Sequence, residues 1–299
     1  MYKKILVPLD GSATAESVLP YAEALAAGFK TGIELLSAID VDALASHLAT
    51  GKGNQLDSLT AAAETASRDY LERVAKSFAR LPSQCRVARG KPEDVILDAA
   101  VLERETLIAM ATHGRSGAKR WLLGSVAEKV LRGTTNPLFL VRADVARTMP
   151  QRIINSIVVP LDGSVLAEQI LPTVSSWARA LEVEVTLIRA FEFPTAAYSG
   201  GAEAFADFNA FRDEARKDVA AYLHAIADSL VQGGVRTVST FTMEGAAADE
   251  IISYGQGAPR AMIAMSTHGR SGLRRWLLGS VTEKVVRHGD DPVLVIRGE

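Results

Sequence analysis

The sequence is poor in the residues that build covalent staples and metal cages. It holds a single cysteine, Cys85, and five histidines. One thiol makes neither an internal disulfide nor a multi-thiolate metal site, and its rarity fits a reducing compartment. Surplus charge is lacking too. The 33 Lys and Arg against 35 Asp and Glu leave a formal net charge of −2, which argues against a nucleic-acid partner bound through bulk charge. No stretch approaches the roughly 20 apolar residues of a membrane helix, so no membrane partner is expected. Met1-Tyr2-Lys3-Lys4-Ile5-Leu6-Val7 enters a strand-like run at once, without the layout of a signal peptide. A cytoplasmic location is the expectation. Catalytic signatures are equally sparse. There is no Gly-x4-Gly-Lys-Ser/Thr loop and no Gly-x-Ser-x-Gly elbow around Ser116 or Ser271. What is present is 48% hydrophobic and 23% charged, the composition of a globular chain that buries a core.

What is also present is a duplication. Ile5-Leu6-Val7-Pro8-Leu9-Asp10-Gly11-Ser12 returns as Ile157-Val158-Val159-Pro160-Leu161-Asp162-Gly163-Ser164. The 24 residues from Ala109 to Arg132 return from Ala264 to Arg287 with 19 identities. The offset is 152 at the first match and 155 at the second, so the second copy carries three extra residues between them. A repeat of half the chain makes each copy a whole domain rather than one turn of a solenoid. The expected domains are 1–145 and 152–299.

Within each copy, apolar runs alternate with helical spacing. Lys4–Leu9 reads as a strand buried on both faces. Val18, Ala22, Leu25 and Phe29 recur at helical spacing, as do Leu166, Ile170, Val174, Trp177 and Leu181. Pro20 and Pro172 fall inside these helices, and the expectation is a bend at each rather than two separate helices. Further strands follow at Gly32–Ala38 and Val183–Arg189, Arg86–Arg89 and Val235–Phe241, Thr106–Met110 and Arg260–Met265, Pro137–Val141 and Pro292–Ile296. Long helices are expected around Thr60–Arg80 and Phe208–Val231. The fold class is α/β: two tandem five-stranded, doubly wound parallel-sheet domains of Rossmann-like type.

Such sheets bind ligands beyond the carboxyl ends of their strands, at the switch in strand order. Asp10 and Asp162 end the first strands, and the repeated Thr-His-Gly-Arg-Ser-Gly loops begin at the ends of the fourth. A carboxylate accepts hydrogen bonds from ribose hydroxyls or a base edge. Gly114, Gly117 and Gly124, with Gly269, Gly272 and Gly279, let the backbone approach a phosphate. Ser125 and Ser280 are placed to cap the following helix and turn its N-terminus toward the same anion. Each element has a plainer reading as well. Asp-Gly is an ordinary turn, Gly-Ser an ordinary cap, and His113 and His268 lack a second ligand at metal spacing. Phe205, Phe208 and Phe211 mark a buried helix stripe or a dimer contact. The joint recurrence of aspartate and polar glycine loop in both copies favours a nucleotide.

These residues resemble the universal stress protein family in its tandem form, over nearly the whole chain. The family's nucleotide-binding members carry Gly-x2-Gly-x9-Gly-Ser/Thr. Here Gly114 and Gly124-Ser125, and Gly269 and Gly279-Ser280, keep that spacing, while Ala111 and Ser266 replace the first glycine. The resemblance implies ATP, with Mg2+ as companion ion, and no metal held by the protein alone. It implies that Pro8, Leu9, Asp10 and Ala38, with Pro160, Leu161, Asp162 and Ala190, line the adenosine side. It gives the phosphates to Met110, His113, Gly114, Arg115, Gly124, Ser125 and Val126. Met265, His268, Gly269, Arg270, Gly279, Ser280 and Val281 take that part in the second copy. A stress-response role through an unidentified protein partner follows, with a homodimer of tandem chains as the assembly. No catalytic residue is assigned, and weak ATP hydrolysis is the most that is expected. A slow ATP hydrolase and a non-nucleotide interaction scaffold stand as the alternatives.

Overall fold

A computed structural model describes residues 2–46, 53–78, 80–103, 105–112, 123–142, 153–192, 202–267 and 279–298. Contacts between Cα atoms divide it into two compact units. One is Met1–Ile153 with Leu294–Arg297, and the other is Ile154–Val293 with Gly298–Glu299.

The first repeat runs β1 (Lys4–Pro8), α1 (Ala13–Glu16), α2 (Leu19–Phe29), β2 (Gly32–Ile39), α3 (Val41–Ala45) and α4 (Gly53–Ala75). It continues through β3 (Ser83–Arg89), α5 (Pro92–Val101), β4 (Thr106–Ala111), α6 (Ser125–Gly133) and β5 (Leu138–Val141). Its strand order is β3-β2-β1-β4-β5, all parallel. The order reverses between β1 and β4, which is where a doubly wound sheet opens a crevice. Ile5, Leu6 and Val7 of β1 are fully buried, and every residue of β4 is buried. Helices on both faces explain why these strands read as unbroken apolar runs rather than alternating ones.

The second repeat runs β6 (Ser156–Pro160), α7 (Val165–Glu168), α8 (Leu171–Leu181), β7 (Glu184–Phe191), α9 (Ala202–Gln232) and β8 (Val238–Glu244). Then come α10 (Ala247–Gly257), β9 (Ala261–Thr267), α11 (Ser280–His288) and β10 (Val293–Arg297). Strands β8-β7-β6-β9 are parallel in the same order. The Ile263 amide donates to the Pro292 carbonyl at 2.8 Å, as the Ile108 amide does to Pro137 at 3.0 Å.

One expectation is overturned. Pro20 and Pro172 do not bend a continuous helix; they sit in the first turns of α2 and α8, separate from α1 and α7. The first turn has amides without an intrahelical acceptor, so a residue lacking N–H costs nothing there. The extra three residues are also located. Tyr70 donates to Glu16 and Tyr222 to Glu168, each at 2.9 Å and each across 54 positions, so the offset is still 152 there. It is 155 from β3 and β8 onward, which places the insertion between Tyr222 and Val238.

Candidate functional site

The turn after β1 is built by its own side chains. Gly11 takes φ 82° and Gly163 φ 86°, the left-handed region that glycine enters without a Cβ clash. Asp10 Oδ1 accepts from the Ser12 amide at 3.0 Å and its hydroxyl at 2.6 Å. Ser12 Oγ in turn accepts from the Ala15 amide at 3.1 Å, capping α1. The second repeat copies this: Asp162 Oδ1 accepts from the Ser164 amide at 2.8 Å, and Ser164 Oγ accepts from Ala167 at 3.1 Å. Part of each aspartate's capacity therefore holds the turn. Burial pushes the Asp162 carboxyl up, but bonds from Ser164 and its own backbone, with the charge of Arg189, hold it below the usual carboxylate value.

Beyond the carboxyl ends of β1 and β4 lies a cavity of about 540 Å³, within the roughly 300–1,000 Å³ of small-molecule sites. Pro8, Leu9, Asp10, Ala38, Met110, Gly124, Ser125 and Val126 all stand on its wall. His113, Gly114 and Arg115 lie outside the described residues. Ala111 is on the wall as well, so the cavity coexists with a Cβ at the position where the motif has its first glycine. The polar side chains are those of Asp10, Ser37, Asp40, Ser67, Thr112 and Ser125; small residues, among them Ala15, Ala43, Ala63, Ala66 and Ala127, carve the remainder.

Ser125 does not cap α6. It is the first helical residue, and Gly124 occupies the cap with its amide donating to the Thr112 carbonyl at 2.8 Å. Having no side chain, Gly124 supplies no side-chain cap to the first turn of α6, where Ser125, Val126 and Ala127 border the cavity. Gly279 and Ser280 repeat the arrangement at α11. The cap shifts by one because the extended backbone at Gly124 (φ −61°, ψ 148°) is already the N-cap conformation.

The helix α4 wall was missed in the sequence reading. Ala63, Ala66 and Ser67 lie three and four residues apart, which places them on one face. The signal was available: the run Thr60-Ala61-Ala62-Ala63-Glu64-Thr65-Ala66-Ser67 is unusually small for a helix packed on a sheet.

In the second repeat the frame is kept and the wall changes. The Leu161 amide donates to the Ile188 carbonyl at 2.9 Å, matching Leu9 to Leu36 at 2.8 Å. Pro160 and Leu161 thus sit where Pro8 and Leu9 do, Ala190 follows in β7, and Met265 is buried in β9. Val281 is in the first turn of α11, while His268, Gly269 and Arg270 lie outside the described residues. Arg189 replaces Ser37, with its guanidinium carbon 5.0 Å from the Tyr222 ring centroid. Ser266 replaces Ala111, its hydroxyl donating to the Leu166 carbonyl at 2.5 Å. Burial, the bond to Glu168 and that carboxylate's charge push the Tyr222 phenol well above its ordinary value. Of the aromatic stripe, Phe205 and Phe208 have side chains outside the described set, and Phe211 is 61% exposed.

Cys85 lies in β3, half-buried; burial and the Glu72 charge push its thiol up, the reverse of a poised thiolate. Among the described residues no three His, Cys, Asp or Glu side chains gather as a metal site, and no helix is long and apolar enough to cross a membrane.

Comparison with known proteins matches the model of the universal stress protein family twice, over residues 1–142 and 154–297. A universal stress protein of Methanocaldococcus jannaschii is 27% identical over 142 residues, 48% of this chain and 83% of the relative. One of Thermus aquaticus is 30% identical over 143 residues, 48% of this chain and 100% of the relative. Among solved structures, a universal stress protein of Archaeoglobus fulgidus covers 99% of both chains at 19% identity with a TM-score of 0.70. That likeness is one of fold.

Proposed function

The chain belongs to the universal stress protein family as two tandem repeats, and we propose that its first repeat binds an adenine nucleotide, ATP with Mg2+, with binding rather than turnover as the activity. The observation that carries this reading is the cavity at the strand switch point, which gathers two carboxylates, four hydroxyls and a helix N-terminus against small apolar walls. An adenine ring fits between Ala38, Ile39 and the alanine face of α4, where dispersion contacts and water exclusion favour a flat aromatic group. Asp10 is the acceptor for ribose hydroxyls, while Thr112, Ser125 and the first amides of α6 face the phosphates. Mg2+ would arrive with the phosphates, neutralise part of their charge and keep most of its water, as it does where phosphates and one or two carboxylates hold it in place of an all-protein cage.

In this reading occupancy itself is the signal. The nucleotide shifts a surface read by a protein partner to the extent that it binds two conformations with different affinity. A homodimer of tandem chains is the proposed working assembly, in the cytoplasm. Calorimetry of the full chain with ATP and Mg2+ tests the reading. Saturable binding is expected, abolished by Ala66→Trp, which fills the cavity, while circular dichroism stays that of the parent. Absence of saturation, together with no nucleotide released from the purified chain on denaturation, would refute it.

A further inference from the structure

The two repeats differ at a position that lies on the cavity wall of the first. Backbone register fixes the correspondence: the Leu36 and Ile188 carbonyls accept from the residues that follow β1 and β6. The next residue is Ser37 in one repeat and Arg189 in the other. Ser37 is buried and lies on the cavity wall.

Arg189 is held on several sides beside the turn after β6. Its guanidinium stacks over the Tyr222 ring at 5.0 Å. It reaches across the turn after β6, since a Cβ built on Gly163 would stand 2.8 Å from Nη1. Its charge acts on Asp162, the counterpart of the proposed ribose acceptor. Tyr222 is itself fixed by its 2.9 Å bond to Glu168. The first repeat has the same tyrosine and glutamate, Tyr70 and Glu16, at the same 2.9 Å. The aromatic platform is thus common to both repeats, and the arginine is the variable.

Further positions of the wall differ between the repeats. Ser266 is tied to α7 by its bond to Leu166, where the first repeat has the methyl group of Ala111. Along the long helix, Asp218 and Val219 stand at the positions of Ala66 and Ser67. On the face given to the adenine ring in the first repeat, a carboxylate thus replaces the methyl of Ala66, and valine lacks the hydroxyl of Ser67.

Resting on the nucleotide reading of the first repeat, we propose that Arg189 sets ligand selection in the second: its guanidinium fills the space beside Asp162 and Gly163 that Ser37 leaves open, so the chain takes one nucleotide, in the first repeat. The ligand would have to expel a planar cation already stacked on an aromatic ring.

Counting nucleotide per chain by equilibrium dialysis with ATP and Mg2+ tests this in four full-length chains. The parent should bind one. Arg189→Ser should bind two, Ser37→Arg none, and the double exchange one again, now in the second repeat. Arg189→Ala serves in place of Arg189→Ser should the serine variant lose its circular dichroism spectrum. Saturation of the parent at two overturns the inference alone, and a fall to one in Arg189→Ser would then make the arginine a phosphate-holding cation. A count that stays at one in both folded Arg189 variants also overturns it. No binding by any of the four overturns the nucleotide reading and the inference with it.

Discussion

Set side by side, the two repeats keep the same frame and part company at the wall. The frame is the Asp-Gly-Ser turn with its capping serine, the Tyr–Glu bond across 54 residues, and the Glu–Arg pair one turn apart on α6 and α11. A non-glycine residue closes α2 and α8 in the left-handed conformation at the same place, Lys30 at φ 54° and Glu182 at φ 53°. The wall differs at Ser37 and Arg189, Ala111 and Ser266, Ala66 and Asp218. One charged pair is rebuilt as well: Lys129 meets Glu93 at 2.5 Å, while Lys284 meets Asp249 at 2.6 Å because Ala248 stands in the place of Glu93. Most interactions that hold the chain's path are retained, as are the wall residues Pro8, Leu9, Asp10, Ala38, Met110 and Gly124–Val126, while the wall positions that changed include Ser37, Ala66, Ser67 and Ala111. A fold and its ligand site are thus separable even within one chain.

Equivalence of the frame is most severely challenged in the core. Trp177 of α8 and Leu25 of α2 occupy the same position, 1% and 0% exposed. Truncation to alanine should cost about 3–5 kcal/mol for Trp177 and about 2–5 kcal/mol for Leu25, through lost burial and a residual cavity. Denaturant unfolding followed by circular dichroism measures both. A cost below about 1 kcal/mol at either site would show that the position is not core.

The capping serines come next. Ser12→Ala and Ser164→Ala should each cost about 1 kcal/mol, because each removes the acceptor for a first-turn amide. The comparison breaks if one is costly and the other neutral, which unfolding curves of the two variants would reveal directly.

A smaller effect separates the repeats by pH. Burial pushes the Glu93 carboxyl up, but the bond and charge of Lys129, its own backbone amide and Lys91 outweigh that and hold it below its ordinary 4.5. A depressed carboxylate contributes stability that is present above its unfolded value and lost as pH falls through the folded one. The melting temperature of Glu93→Gln should therefore lie below the parent's at about pH 6 and converge with it toward about pH 2–3. Ala248→Glu should bring no such dependence unless Lys284 leaves Asp249. A gap between Glu93→Gln and parent that stays constant across this range would exclude the ion pair as its source.

Much of this architecture was legible before any coordinates. The repeat, the parallel strand order implied by alternating elements, and the placement of Asp10, Met110 and Gly124–Val126 near one another all follow from motif spacing and the rule for doubly wound sheets. Two local errors have a common cause. Apolar spacing runs unbroken through Val18, Ala22 and Leu25, so periodicity cannot distinguish Pro20 in a first turn from Pro20 in an interior. The cap at Gly124 rather than Ser125 is decided by backbone dihedrals that residue type does not encode. The α4 wall and the role of Arg189 were hidden for a different reason. Both depend on which side chains from distant segments meet at the switch point, and neither α4 nor the end of β7 carries a motif.

The account stands on an open first site and a closed second one. Hydrogen exchange of the full chain with and without saturating ATP and Mg2+ tests it most directly, because each amide reports its own repeat. The account predicts slowed exchange in β1, β4 and the first turn of α6, with β6, β9 and α11 unchanged. Equal protection of the two repeats, or protection confined to the second, would contradict it.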